Sequence, residues 1–221
     1  VFDISVHAGT LAAVIYYFKK EIQGLLQAWN PWSKTRNTEN FSLGLNLIVA
    51  TLPIVLVGLL VSDLAESRSA NIDSIAWANL VFAGLLYAAF KSSSQSKSLT
   101  ELTLFAALII GCFQALAVFP GASRSGMAIT GALIIGLNIK DTSRFAFLLS
   151  IPTIMGALIL MLAKGAYSIS FSNMLIMLTG FIGSALIAFF TIKSFLQFVE
   201  RIGMTPFVIY RVALGLVLLL I

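Results

Sequence analysis

The chain has 221 residues, of which 59% are hydrophobic and only 10% are charged, and its formal net charge is +5. A soluble domain is about 25% charged, so this composition excludes an ordinary water-soluble fold and predicts an integral membrane protein. No run of Lys and Arg with interleaved aromatic residues is present, so nucleic acid is not an expected partner. The single cysteine, Cys112, cannot form an intrachain disulfide, and one histidine, His7, excludes a metal site built from His and Cys clusters.

Apolar segments follow one another along the whole chain. Most approach the roughly 20 residues that a helix needs to span the hydrocarbon core, but 127–137 is too short. Because only a Pro- and Gly-containing stretch separates it from 102–119, these two segments predict a re-entrant helix–loop–helix that enters and leaves on one side. The apolar segments in chain order are 2–18, 43–62, 75–90, 102–119, 127–137, 145–163, 174–192 and 206–221.

The distribution of Lys and Arg tests this arrangement of six crossings and one re-entrant segment. Ten of the 14 basic residues then fall on one side and two, Arg68 and Lys164, on the other, which places the ten in the cytoplasm. Two full crossings at 102–137 would give the same parity, so the short second segment is what favours re-entry. The ten are Lys19, Lys20, Lys34, Arg36, Lys91, Lys97, Lys140, Arg144, Lys193 and Arg201.

A weak internal repeat accompanies this pattern. The stretches FDISVHAGT (2–10) and FAFLLSIPT (145–153) both open with Phe and close on Thr at the same spacing. We therefore predict an all-α polytopic membrane protein with inverted-repeat architecture, in which sites form at broken helices near the midplane. Residues 1–221 form one integral membrane domain, with the remainder of the first repeat at 1–101, the second repeat at 102–221 and the re-entrant loop at 119–127.

The loop at 119–127 reads FPGASRSGM. Gly121 and Gly126 allow sharp reversals and leave backbone N–H groups exposed. Because a helix begins near Met127, its N-terminus is predicted to point into a cavity with a partial positive charge.

Polar side chains complete a predicted oxyanion site in this loop. Ser123 and Ser125 add hydroxyl donors, and Arg124 adds a planar, permanently charged group that matches phosphate oxygens. A charge at membrane depth is costly, so a functional role is the first hypothesis. The structural alternative is an arginine that snorkels to an interface or pairs with a buried carboxylate.

Residues 114–126, QALAVFPGASRSG, closely resemble the second sequence motif of bacterial undecaprenyl-pyrophosphate phosphatases, the bacitracin-resistance family. The stretches FDISVHAGTLAAVIYYFKKEI (2–22), FAFLLSIPTIMGA (145–157) and IKSFLQFVERIGMTPFVIYR (192–211) also look like that family. The resemblance implies a multi-pass enzyme of the bacterial inner membrane. Such an enzyme hydrolyses undecaprenyl diphosphate to inorganic phosphate and undecaprenyl phosphate, the lipid carrier of cell-wall precursors.

Carried over residue by residue, the resemblance gives each loop residue a role. Arg124 holds the diphosphate as a catalytic residue together with Ser123 and Ser125, and the backbone of Gly121 and Gly126 binds substrate. A homodimer is left open.

The resemblance also shows departures. Ala128 replaces a Thr that is common in the family, and Thr130 offers a nearby hydroxyl. The family's first motif, paired glutamates followed by Pro-Val-Ser-Ser-Thr-Gly-His, has no match here and would precede Val1. We therefore expect this chain alone to bind but not to catalyse. A divalent cation, Mg²⁺ or Ca²⁺, is expected through those glutamates, with its ligands outside this chain and none within it.

Other polar residues within the spans receive lesser roles. Gln114 is assigned to substrate binding, with a hydrogen bond across the re-entrant pair as its alternative. His7 lies outside the family's Ser-Thr-Gly-His context and is expected to be a polar group near the outer interface rather than a base. Asn46 and Asn79 are expected to form interhelical hydrogen bonds.

Two other functions compete with the diphosphatase. A transporter that flips a polyprenyl phosphate shares inverted repeats and midplane sites. The unrelated acid-phosphatase type of lipid phosphatase needs two His-containing motifs, and the single histidine argues against it.

Overall fold

The computed structural model describes residues 2–30, 38–67, 71–164 and 171–220. Within these ranges the chain is helical and contains no strand, which confirms the predicted all-α class. Short 3₁₀ turns occupy Leu99–Glu101 and Leu116–Val118. The α-helices are α1 (Phe2–Tyr17), α2 (Lys19–Trp29), α3 (Thr38–Ser67), α4 (Ile72–Ser92), α5 (Leu104–Ala115), α6 (Arg124–Ile135), α7 (Ile139–Lys164), α8 (Phe171–Ile202) and α9 (Thr205–Leu219).

Among the described residues, four helices are long and apolar enough to cross a membrane, and each corresponds to one predicted crossing. They contain the spans Thr38–Val61, Ile72–Ser92, Ile139–Ala163 and Met174–Ile202. The helices at the two chain ends are shorter, with 16 residues in α1 and 15 in α9. At 1.5 Å per residue each reaches about 22–24 Å, less than the roughly 30 Å hydrocarbon core.

The outer surface of the helix bundle is apolar. Of the most apolar 18-residue stretch in the span Met174–Ile202, only 11% is buried inside the protein. Large side chains such as Leu60, Phe105 and Ile187 are mostly exposed. An apolar surface of this extent is stable against lipid and not against water, so the chain is a multi-pass membrane protein.

Glycines allow the helices to pack closely. A methyl group at Gly9 of α1 would overlap the backbone of Phe181 on α8, and one at Gly111 of α5 would overlap the carbonyl of Ala50 on α3. Small residues at such positions let van der Waals contacts hold helices together where lipid removes the hydrophobic drive for association.

Helical structure extends into the segments that separate the predicted apolar segments. Within 19–42, α2 forms because Ile22 and Leu25 pack against the core while Lys19 and Lys20 stay exposed. In 138–144 and 193–205, α7 and α8 extend beyond their apolar windows. Hydropathy marks where a helix leaves lipid, whereas backbone hydrogen bonding continues into the polar zone.

The segments predicted to face the cytoplasm come together at one end of the bundle. Arg144 lies 3.6 Å from Glu21, and Lys140 lies 3.8 Å from Glu200. Gly203, after α8, packs against Phe90 near the end of α4. The predictions for the loops around positions 35, 69 and 170 lie outside the described residues.

Candidate active site

Helices α5 and α6 form an antiparallel hairpin whose two ends meet. The N–H of Lys97 donates to the carbonyl of Gly136 at 3.0 Å, and the N–H of Asn138 donates to the carbonyl of Lys97 at 2.9 Å. Midway along the hairpin, Gly131 allows α6 to contact Phe113 of α5. The end of the hairpin therefore lies beside its beginning, about 40 residues earlier in the chain.

A polar network fixes the base of the hairpin. The Asp141 carboxylate accepts hydrogen bonds from the Leu99 N–H at 3.0 Å and from the Asn138 side-chain amide at 2.9 Å. The buried Asn46 of α3 donates to the Leu102 carbonyl at 2.8 Å, so it binds the segment that leads into α5 and not another helix as predicted.

We expect Asp141→Ala to lower the stability of the protein by about 1–3 kcal/mol, because two donors lose their acceptor. Thermal unfolding in detergent measures this effect. Glu200→Ala is the control: it removes only an exposed ion pair, and such a pair contributes at most about 1 kcal/mol. Equal unfolding midpoints for the two variants would contradict the role given to Asp141.

The tip of the hairpin reverses the chain at Gly121. This residue has φ +92°, and a methyl group there would lie 2.5 Å from the carbonyl oxygen of Ile75 on α4. Glycine is required both by the left-handed conformation and by the close approach. The reversal then leads directly into the N-terminus of α6.

Helix α6 begins at Arg124 and not near Met127 as predicted, because the Ser123 side chain caps it three residues earlier. The Ser123 hydroxyl accepts a hydrogen bond from the Gly126 N–H at 3.1 Å and lies 3.3 Å from the Ser125 hydroxyl. Thr130 donates its hydroxyl to the Gly126 carbonyl at 2.7 Å. The first turn of α6 thus carries two adjacent hydroxyls beside a partially positive helix end.

The two serines line a cavity of about 400 Å³ together with Gly121 and Gly126. Arg124, by contrast, lines a separate cavity of about 250 Å³ between α3 and α7, whose other walls are apolar except for Thr153. Successive residues of a helix point about 100° apart, so Arg124 projects away from its two serine neighbours. The single oxyanion site predicted for this loop is therefore divided between two cavities.

Sequence reasoning missed the second arginine of the site, Arg211 on α9. Its side chain is buried; Nε donates to the Asn79 side-chain oxygen at 3.0 Å and Nη2 donates to the Gly121 carbonyl at 2.9 Å. Asn79 thereby makes the interhelical bond predicted for it. The signal that could have found Arg211 is a charge inside the last apolar segment, which is rare without a function.

Neither Gln114 nor His7 lines the cavities at the tip. Gln114 is 1% exposed, and its side-chain nitrogen has no hydrogen-bond partner within the described ranges. His7 lies on α1, where Nδ1 donates to the carbonyl of Asp3 at 2.7 Å.

This arrangement defines a class: a helical membrane protein with hydroxyls, a helix N-terminus and two arginines at the tip of a hairpin. Residues 1–217 match the family model described as bacitracin resistance protein BacA. The chain belongs to this family.

Curated relatives include proteins named undecaprenyl-diphosphatase. The protein from Saccharophagus degradans is 43% identical over 216 residues, which cover 97% of this chain and 80% of the relative. The protein from Teredinibacter turnerae is 43% identical over 221 residues, with 98% and 83% covered. Undecaprenyl-diphosphatase 1 from Pseudoalteromonas translucida is 40% identical over 218 residues, with 97% and 81% covered.

Proposed function

We propose that this protein hydrolyses undecaprenyl diphosphate to undecaprenyl phosphate and inorganic phosphate, and so recycles the carrier lipid of cell-wall synthesis. The observation that carries this function is the Ser123-capped N-terminus of α6, held at a glycine turn within an apolar bundle. An apolar surround accommodates the prenyl chain, while the tip receives the charged headgroup.

The tip residues act by positioning and by neutralising charge. In phosphoryl transfer, charge is spread over the equatorial oxygens of the transferred group, and fixed cations and N–H donors stabilise it. Ser125 supplies a hydroxyl from one side of the loop, and Arg124, which lines the separate cavity, supplies a planar pair of donors from the other side. Ser123, whose oxygen already accepts the Gly126 N–H, mainly fixes the shape of the turn.

A divalent cation, Mg²⁺ or Ca²⁺, stays a prediction that rests on the family resemblance. Within the described ranges no group of three or more His, Cys, Asp and Glu residues could hold a metal ion. These residues do not fit a metal site by themselves, and the proposed roles of the tip residues require no cation. The homodimer likewise remains untested.

We further infer six crossings, the α5–α6 hairpin as a re-entrant segment, and an inverted repeat in the bacterial inner membrane. The bridge between Lys97 and Leu137 supports re-entry. The hairpin base lies at Ser94, just after α4 ends, and its tip reaches Ile75 near the other end of α4. The tip is therefore closest to the outer face, which favours entry of the diphosphate from that side.

Cysteine labelling of intact cells tests this topology. In a Cys112→Ser background, we expect an impermeant maleimide to label Asp73→Cys and not Ser94→Cys, because these exposed residues flank opposite ends of α4. After permeabilisation both should react. Labelling of Ser94→Cys in unpermeabilised cells would invert the proposed orientation.

Release of phosphate by the purified full-length protein in detergent tests the function itself. We expect one inorganic phosphate for each undecaprenyl phosphate formed, because hydrolysis does not need two aqueous compartments. If the protein moves the lipid across liposomes but releases no phosphate in detergent, the diphosphatase function is wrong.

A further inference from the structure

Two hydrogen bonds anchor Arg211 and leave part of its guanidinium facing the cavity. Its Nε and Nη2 bind Asn79 and the Gly121 carbonyl, both neutral acceptors. The residue also lines the cavity that contains Ser123 and Ser125. The anchors therefore orient the group without neutralising its charge.

The remaining nitrogen, Nη1, faces the first turn of α6. A methyl group at Gly126 would lie 2.9 Å from this nitrogen and 3.2 Å from the hydroxyl oxygen of Ser123. Nη1 and the Ser123 hydroxyl therefore border the same part of the cavity beside Gly126, and the absence of a side chain at Gly126 leaves the space next to them open. A phosphate oxygen is the type of atom that such donors favour.

The charge at the tip has no carboxylate to balance it within the described ranges. The ion pairs of the described residues involve Lys140 and Arg144, which lie away from the tip. Neither Arg124 nor Arg211 contacts a described Asp or Glu. Arg211 is buried and Arg124 is half-buried. Burying a cation without an opposite charge is unfavourable, so two arginines at one loop favour a multiply charged anion.

We propose that Arg211 is a second phosphate-binding residue, which contacts the diphosphate through Nη1 from the side that Ser123 and Ser125 share. Arg124 approaches the headgroup from the opposite face of the loop. This assignment rests on the proposed diphosphatase function and adds a residue 87 positions away in sequence to its site.

Inhibition by inorganic pyrophosphate tests the assignment in the full-length protein. We expect Arg211→Gln to weaken this inhibition about tenfold or more and to raise KM, since a hydrogen bond to a charged group contributes about 1.5–3 kcal/mol. Arg211→Lys should restore part of the affinity, and Arg201→Gln, at an exposed site, should match the wild type. Unchanged pyrophosphate inhibition and KM in a folded Arg211→Gln variant would show that Arg211 only stabilises the turn at Gly121 and does not bind phosphate.

Gly126→Ala provides a second test if Arg211→Gln fails to fold. The added methyl would lie 2.9 Å from Nη1, so it keeps the arginine but pushes the end of its side chain away from the Ser123 hydroxyl. We expect weaker pyrophosphate inhibition, while Gly183→Ala, which meets nothing within 4 Å, should leave it unchanged. Equal inhibition of both variants would overturn the proposal.

Direct binding of pyrophosphate to the wild type separates the proposed anion site from the proposed diphosphatase function. If the wild type binds pyrophosphate but releases no phosphate from the lipid, the diphosphatase function is wrong and the anion site stands.

Discussion

Arg124→Ala in the full-length protein is expected to reduce kcat by about 10²–10³ or more, the typical cost of losing one fixed stabiliser of transition-state charge. Arg124 is the first residue of α6 and faces a largely apolar cavity, where its charge is poorly screened. Arg124→Lys should remain strongly impaired, because lysine supplies a point charge without the planar pair of donors.

Steady-state phosphate release in detergent measures both variants of Arg124. Arg201→Ala, which removes an exposed arginine near the end of α8, is the matched control and should retain normal turnover. Near-normal kcat for Arg124→Ala would return this residue to a structural role. Near-normal kcat for Arg124→Lys would show that charge alone matters.

Gly121→Ala is expected to disrupt both the fold of the tip and its activity. The left-handed conformation costs a residue with a side chain about 1–2 kcal/mol, and the new methyl would lie 2.5 Å from the Ile75 carbonyl oxygen. The turn must then move, which strains the hydrogen bond from Arg211. Because displacements of about 1 Å can cost a hundredfold in rate, we expect kcat/KM to fall by about 10–100-fold.

The comparison for Gly121→Ala is Gly84→Ala, in a helical position with nothing within 4 Å. This control should keep both its unfolding midpoint and its activity. If Gly121→Ala also retained both, the tip would be more adaptable than its packing against α4 indicates.

The fold could be predicted where apolar segments coincide with helices. The spans in α3, α4, α7 and α8 follow from hydropathy, and the α5–α6 hairpin follows from a short apolar segment after Pro and Gly. Helix α2 could not be found in this way, because its Ile22 and Leu25 form too narrow an apolar face for a hydropathy window.

The residue types of the site could be predicted from the sequence, but the directions in which their side chains point could not. The turn at Gly121 depends on neighbouring residues and appears as expected, whereas the serine cap makes α6 begin earlier than predicted. That Arg124 points away from the serines depends on where α6 begins, since adjacent helical residues diverge by about 100°. Arg211 reaches the loop only through the packing of α9 against α4, which no local pattern records.

Protection of a thiol at the tip tests most directly whether the lipid diphosphate binds there. In a Cys112→Ser background, Ser125→Cys places an alkylation target in the exposed first turn of α6, beside the cavity. We expect undecaprenyl diphosphate to slow alkylation of this thiol in detergent, with a midpoint close to the KM, and to leave the thiol of Ser94→Cys unaffected. Alkylation of Ser125→Cys at the same rate with and without saturating lipid would contradict binding at this loop.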